Sequence, residues 1–195
     1  MRKRREIEES SKVIIAMKGH PGSGKSTLGK SIASYLKIPL IDKDDIKDCT
    51  LPLHPHLTLT SPPSLLNDLS YDAICHIATT QITLGLSLLL DSPLSRAAHL
   101  HRLRRIAADA GARLLVLECR PADHAEWRRR LEERGGGEGG HKPASWEELE
   151  KLLEAYAGCT EYDMGDVPRL VVDTTAGLPL EQLRDAALDF IFAHV

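Results

Sequence analysis

The chain has 195 residues, 42% of them hydrophobic and 27% charged, with a formal net charge of −3. Such usage is that of an ordinary globular protein and excludes collagen-like, coiled-coil and wholly disordered chains; the length fits one domain. Two Phe, two Trp and four Tyr are too few for a base-stacking platform, and a weakly acidic balance is unlike that of a dedicated duplex binder.

A domain of this size buries roughly 70% of the surface of its unfolded chain, so it needs no disulfide or metal staple. Cys49, Cys75, Cys119 and Cys159 are widely spaced without a Cys-x-x-Cys pair, as reduced thiols would be. No stretch reaches the about 20 apolar residues of a membrane span. Residues 1–11 read as a solvated, disordered tail. Its Arg2-Lys3-Arg4-Arg5 run could serve as a weak nuclear signal, whereas Glu6, Glu8 and Glu9 argue against a transit peptide. The expected location is the cytoplasm.

In chain order, Val13-Ile14-Ile15-Ala16-Met17 predicts a central parallel strand over 12–17, buried on both faces. A glycine-rich turn follows. Leu28, Ile32, Tyr35 and Leu36 then place a helix over 25–37. Residues 38–41 predict a second strand ending at the acidic cluster 42–45. Pro52, Pro55, Pro62 and Pro63 make 49–63 a loop. Residues 64–83 have helical spacing through Leu65, Leu69, Ala73, Ile77 and Ile82. A third buried strand over 86–90 closes at Asp91-Ser92-Pro93, and a helix over 96–110 stops at Gly111.

Leu114-Leu115-Val116-Leu117 marks a fourth strand over 113–118. Pro121 is expected to open a helix with Asp123 and Glu126 in its first turn. Residues 135–140, Gly-Gly-Gly-Glu-Gly-Gly, have the composition of a flexible hinge or loop. Ser145-Trp146-Glu147-Glu148 is a capping box that leads a helix through Leu149, Leu152, Leu153 and Tyr156. Residues 169–172 form a fifth strand, and Pro179 opens a last helix carrying Leu180, Leu183, Ala187, Phe190 and Ile191. Five short buried strands alternating with helices imply an α/β fold with a doubly wound parallel sheet.

One motif carries chemistry without ambiguity. Gly19-His20-Pro21-Gly22-Ser23-Gly24-Lys25-Ser26 matches G-x-x-x-x-G-K-[ST], with an apolar strand before it and an amphipathic helix after it. The glycines let successive backbone N–H groups turn inward toward phosphate oxygens, and the helix adds the positive end of its dipole. Lys25 reaches the β- and γ-phosphates, the Ser26 hydroxyl ligates Mg²⁺, and Thr27 lies beside them. ATP is the expected nucleotide.

The second cluster, Asp42-Lys43-Asp44-Asp45-Ile46-Lys47, lies at the carboxyl end of the second strand, the ligand side of a parallel sheet. Asp44 or Asp45 there could take the proton of an attacking hydroxyl; an acidic turn or a metal-water anchor is the competing reading. Asp91 ends an apolar strand like a Walker B carboxylate, a Mg²⁺ ligand, although any strand-ending Asp looks the same. Arg128, Arg129, Arg130 and Arg134 precede the glycine stretch, and Arg130 and Arg134 share a helix face. At least one of them could neutralise charge on a transferring phosphoryl group. Alternatively, they pair with Glu126, Glu132 and Glu133 on a solvated face. His54, His56, His99, His101 and His141 lack carboxylates at ligand spacing, so they do not suggest a metal site.

Residues 19–26, the Asp44-Asp45-x-Lys47 cluster, Asp91 with Arg96 after it, Arg130-Leu131-x-x-Arg134 and Val171-Val172-Asp173 occur in an order that resembles the small P-loop kinases of the ATPase-like "predicted kinase" group. That group is similar to the kinase domain of polynucleotide kinases, chloramphenicol phosphotransferase, gluconate and shikimate kinases and zeta toxins. Plant P-loop proteins sharing Met17-Lys18-Gly19-His20-Pro21-Gly22 and Leu40-Ile41-Asp42-Lys43-Asp44-Asp45 resemble it further. The resemblance spans about 12–195 and implies a three-layer P-loop NTPase sandwich, strand order 2-3-1-4-5, and a lid over about 126–162. It implies Asp44 as base, with Asp45 and Lys47 at the substrate. Lys47 replaces an arginine and cannot form its bidentate fork. Asp173, Thr174 and the loop to Gly177 would border the adenine.

Three functions follow: a small-molecule kinase using ATP and Mg²⁺, a 5′-hydroxyl polynucleotide kinase, or a non-catalytic ATP-binding module. Residues 49–95 contain no Lys or Arg, which disfavours a basic nucleic-acid channel and points to a small, neutral or weakly charged acceptor under the 49–63 loop. Intact Lys25, Ser26, Asp44 and Asp91 argue against a non-catalytic module.

Overall fold

The computed structural model describes residues 12–56, 64–134 and 142–195. The N-terminal tail, residues 57–63 of the predicted loop, the glycine stretch 135–140 and His141 lie outside the described residues.

Five parallel strands form one sheet in the order β2-β3-β1-β4-β5: β1 (Val13–Lys18), β2 (Leu40–Asp42), β3 (Leu88–Asp91), β4 (Arg113–Cys119) and β5 (Arg169–Val172). The helices are α1 (Lys25–Leu36), α2 (Lys43–Thr50), α3 (Leu65–Thr83), α4 (Ala97–Asp109), α5 (His124–Arg134), α6 (Trp146–Tyr156) and α7 (Leu180–Ala193). The expected order and the parallel α/β architecture are both present.

The sheet's two faces divide the core by the period-2 alternation of strands. Ile14, Ala16, Leu88, Leu90, Leu114 and Val116 pack on α3 and α4 through Ile74, Ala78, Leu100 and Leu103. Val13, Ile15, Met17, Leu89, Leu115 and Leu117 pack on α1 and α7 through Leu28, Ile32, Leu188 and Ile191. Each fully buried aliphatic side chain contributes about 1.5–3 kcal/mol, so the strands least able to move are β1, β3 and β4. A third, smaller cluster of Trp127, Leu131 and Leu149, with Trp146 and Leu153 against it, joins α5 to α6.

Several expectations change. Residues 43–50 are helix α2, capped by Asp42, whose Oδ1 accepts from the Asp44 N–H at 2.9 Å. Cys49 and Thr50 thus end a helix, and Leu51–His56 is a 3₁₀ turn. α3 buries Leu66, Ser70, Tyr71, Ile74, Cys75, Ala78 and Ile82 and leaves Leu65, Leu69 and Ile77 exposed, so most of the spacing that marked it is not its buried face. Pro121 does not open α5; Asp123 does, accepting from the Ala125 and Glu126 N–H groups. β5 is an edge strand with Val171 exposed, not a strand buried on both faces.

Candidate active site

Every strand's carboxyl end faces the same side of the sheet, and the chemistry collects there. The β1–α1 loop is drawn into a cup by backbone geometry that side chains resist. Gly19 has φ 150°, and a Cβ on it would lie 2.7 Å from both the Cys119 carbonyl oxygen and Ser23 Oγ. Gly24, at φ 77°, is the N-cap of α1. The loop is held from three sides. The Gly19 N–H donates to the Pro93 carbonyl at 3.3 Å, Thr174 Oγ1 donates to the Ser23 carbonyl at 2.7 Å, and Trp127 Nε1 donates to the Pro21 carbonyl at 2.9 Å.

Lys25 Nζ lies 2.5 Å from Asp91 Oδ1 and 3.3 Å from Ser26 Oγ. Asp91 is fully buried, and its Oδ2 has no hydrogen-bond partner. Such an orphaned carboxylate oxygen beside a serine hydroxyl fits a hard cation that completes its shell with phosphate oxygens and water. The donor set therefore fits Mg²⁺. Asp42 pairs with Asp91 across β2 and β3. Burial, and then the charge of Asp91, raise the Asp42 pKa.

Asp44 projects into the same space from α2. Its Oδ2 lies 2.9 Å from Lys142 Nζ and its Oδ1 3.8 Å from Lys43 Nζ. Burial alone would raise its pKa, but the hydrogen bond and charge of Lys142, with Lys43 and Lys25, outweigh that and hold the carboxyl at about 2. The Lys43 ammonium is buried beside the Tyr71 ring at 5.3 Å, and that burial pushes it down to about 8. Burial also lowers Lys47.

The arginines of α5 divide as helical spacing requires. Arg128 pairs with Glu132, and Arg129 with Glu126 and Glu133, on the outer face. Arg130 donates to the Thr174 carbonyl at 2.8 Å while its Nε meets Glu126 at 2.6 Å. Arg134 donates to the Pro143 carbonyl at 3.3 Å. Arg130 and Arg134 both face the cavity; Arg128 and Arg129 do not.

That cavity, of about 880 Å³, runs from Gly19, Pro21, Gly22, Ser23, Gly24, Lys25, Ser26 and Thr27 to Asp44 and Lys47. Thr174, Leu178, Leu180 and Leu183 border it on the α7 side. Three predicted residues stay off its wall, the buried Asp91 bonded to Lys25 among them. Asp45 is exposed on α2. Asp173 instead joins loops, accepting from the Thr175 N–H, Thr175 Oγ1 and the Ala122 N–H. Residues without a motif-level sequence signal are Lys142, which holds Asp44, and Tyr71 and Tyr156, which line the cavity with Arg96. The only hint of Lys142 was its position just after the glycine stretch.

The cavity's charge differs from that of the segment read for it. Residues 49–95 lack Lys and Arg, but the cavity draws Lys43 and Lys47 from before that segment, and Arg96 and Lys142 from after it. A local count of charges along the chain does not give the charge of the cavity's lining.

A parallel 2-3-1-4-5 sheet with a phosphate-binding loop after β1 defines a P-loop protein of the kinase fold. Residues 14–158 match the family model AAA_33, described as an AAA domain, and the chain belongs to that family. The fold is also that of solved kinases. A kinase candidate from Chloroflexus aurantiacus aligns over 95% of this chain and 98% of its own, with 21% identity and a TM-score of 0.69. A gluconokinase from Sinorhizobium meliloti aligns over 96% and 94%, with 20% identity and a TM-score of 0.62. The APS kinase of Mycobacterium tuberculosis in complex with AMPPNP and APS aligns over 93% and 98%, with 18% identity and a TM-score of 0.58. No curated protein matches the chain in sequence. No helix among the described residues is long and apolar enough to cross a membrane.

Proposed function

We propose that the protein is an ATP- and Mg²⁺-dependent phosphotransferase that moves the γ-phosphoryl group to a hydroxyl of a small molecule. The observation that supports this most is that Asp44 and Lys25 line the same cavity, Lys25 from the phosphate-binding loop and Asp44 from α2. The loop's N–H groups and Thr27 hold the triphosphate, and Thr174 with Leu178 and Leu180 borders the base. Ser26 and Asp91 would hold Mg²⁺, which when bound supplies charge neutralisation at the phosphates. Asp173 enters this account as the residue that fixes the Thr174 loop rather than as a nucleotide contact.

In the transfer, the acceptor oxygen attacks the γ-phosphorus and the bond to the bridging β,γ-oxygen breaks, releasing ADP. The hydroxyl proton passes to the Asp44 carboxylate and then to water. Lys25, Arg130 and Arg134 neutralise the charge that develops on the phosphoryl oxygens. Asp44 rather than Asp45 is the base because Asp45 stands off the wall. Lys25, paired with Asp91 in this structure, would also reach the phosphate oxygens of bound ATP. Four free cysteines and a need for ATP suit a reducing, ATP-rich compartment such as the cytoplasm.

The test is incubation with γ-labelled ATP, Mg²⁺ and a metabolite extract freed of macromolecules. The expected result is a labelled small molecule that is absent with Asp44→Asn. Tight ATP binding without transfer to any acceptor would contradict the reading.

A further inference from the structure

The phosphate loop does not account for the cations on the other wall of the cavity. Lys25, Arg130 and Arg134 stand where a triphosphate would lie. Lys43, Lys47, Arg96 and Lys142 stand with Asp44, where the acceptor must enter. Among the described residues Asp44 is the one carboxylate on the cavity wall, and Lys142 pairs with its Oδ2. Lys43 is buried against Tyr71 and lies nearest Asp44 Oδ1. Among the described residues, neither Lys47 nor Arg96 has a carboxylate within 4.0 Å.

These groups form one wall. Lys47 is within electrostatic reach of Asp44, Asp48 and Lys142, Tyr156 is within reach of Arg96 and Asp44, and His99 is within reach of Arg96, Asp68 and Lys43. Ser64, Asn67 and Tyr71 of the α3 region complete its lining with neutral groups. Lys43, Lys47, Arg96 and Lys142 line this part of the cavity against the carboxylate of Asp44; Asp48 is also within electrostatic reach of Lys47, and Arg96 is exposed. A ligand oxyanion there forms charge-assisted hydrogen bonds, bidentate where it meets the arginine.

We infer that the acceptor is a small anionic alcohol, a hydroxyl compound that also carries a carboxylate, phosphate or sulfate group, and that Lys47 and Arg96 bind this oxyanion while the hydroxyl faces Asp44. The inference rests on the phosphotransferase reading. Recognition by charge at one end and by Asp44 at the other fixes which hydroxyl of the molecule is presented for transfer.

The experiment splits the macromolecule-free extract on an anion exchanger at neutral pH before the labelled-ATP assay. Acceptor activity is expected in the retained fraction, and phosphatase or mild carboxylate-amidation treatment of that fraction distinguishes a phosphate from a carboxylate source. The Lys47→Gln/Arg96→Gln double variant should raise the KM for the retained acceptor at least tenfold, with Mg–AMPPNP affinity within twofold of wild type. That unchanged affinity also certifies that the variant is folded. Arg128→Gln, a charge loss on the outer face of α5, should leave KM unchanged. Acceptor activity in the unretained fraction, or a double variant with unchanged KM, overturns the anionic acceptor while leaving the kinase reading intact. No labelling from either fraction, with ATP still bound, overturns both.

Discussion

The two walls of the cavity are built in opposite ways. The phosphate wall comes from eight consecutive residues, 19–26, whose shape is enforced by the backbone. The proposed acceptor wall is assembled from α2, the β3–α4 connection, α3 and the residues leading into α6, and its charges are held by side chains alone. A contiguous cradle is rigid and common to many chemistries, whereas a wall drawn from four segments can change one residue at a time. Fold-level likeness therefore speaks to the first wall and leaves the second to its own residues.

The comparison can be broken first at Lys25. Lys25→Met leaves Asp91 buried without its partner, which should cost about 3–5 kcal/mol of stability and about 10²–10³ in transfer rate. Combining it with Asp91→Leu should restore much of the stability in urea titrations but none of the transfer. Recovery of activity in the double variant would show that the pair is not part of the phosphate wall.

A smaller effect is expected from the backbone itself. Gly19→Ala places a methyl group against Cys119 and Ser23, which should destabilise by about 1–3 kcal/mol and weaken Mg–AMPPNP in calorimetry. Unaltered affinity would mean that the loop is not held as described.

Lys142→Met sharpens the comparison from the acceptor side. Asp44 is depressed to about 2, so its carboxylate form contributes stability above the ordinary pKa of 3.8, and that contribution is lost as pH falls through about 2. Without Lys142 the burial that opposes the shift remains. The Asp44 pKa should therefore rise, moving the acid limb of the rate–pH profile upward with little change in nucleotide affinity. An unmoved acid limb would remove Lys142 from the site. The smallest effect belongs to the outer face of α5, where Arg128→Gln should change stability by less than about 0.5 kcal/mol and transfer not at all.

The same contrast explains what could be read from the chain. The phosphate loop was legible because it is contiguous and follows the apolar run 13–17 of β1, whereas the strand order followed from the family resemblance. α3 was legible as a helix but not in orientation. Apolar residues occupy both of its faces, so Leu65, Leu69 and Ile77 suited the same period as the buried Leu66, Ile74 and Ala78. Asp44 could not be separated from Asp45 until α2 was seen to be a helix, because one residue of helix turns a side chain by about 100°. The resemblance set Asp173 beside the adenine, yet the β4–α5 turn packs close enough for the Ala122 N–H to donate to its carboxylate. Arg96 and Lys142 lie 46 residues apart in sequence, and no local pattern connects them.

The most direct measurement is the rate of γ-phosphoryl transfer to the extract acceptor by Asp44→Asn, read beside its Kd for Mg–AMPPNP. The substitution keeps the shape and removes the proton acceptor. Transfer is expected to fall by about 10²–10⁴ with the Kd within twofold of wild type. Transfer at the wild-type rate, or a loss explained wholly by weaker nucleotide binding, would contradict a site in which Lys25 and Asp44 act on the same phosphoryl group from opposite walls.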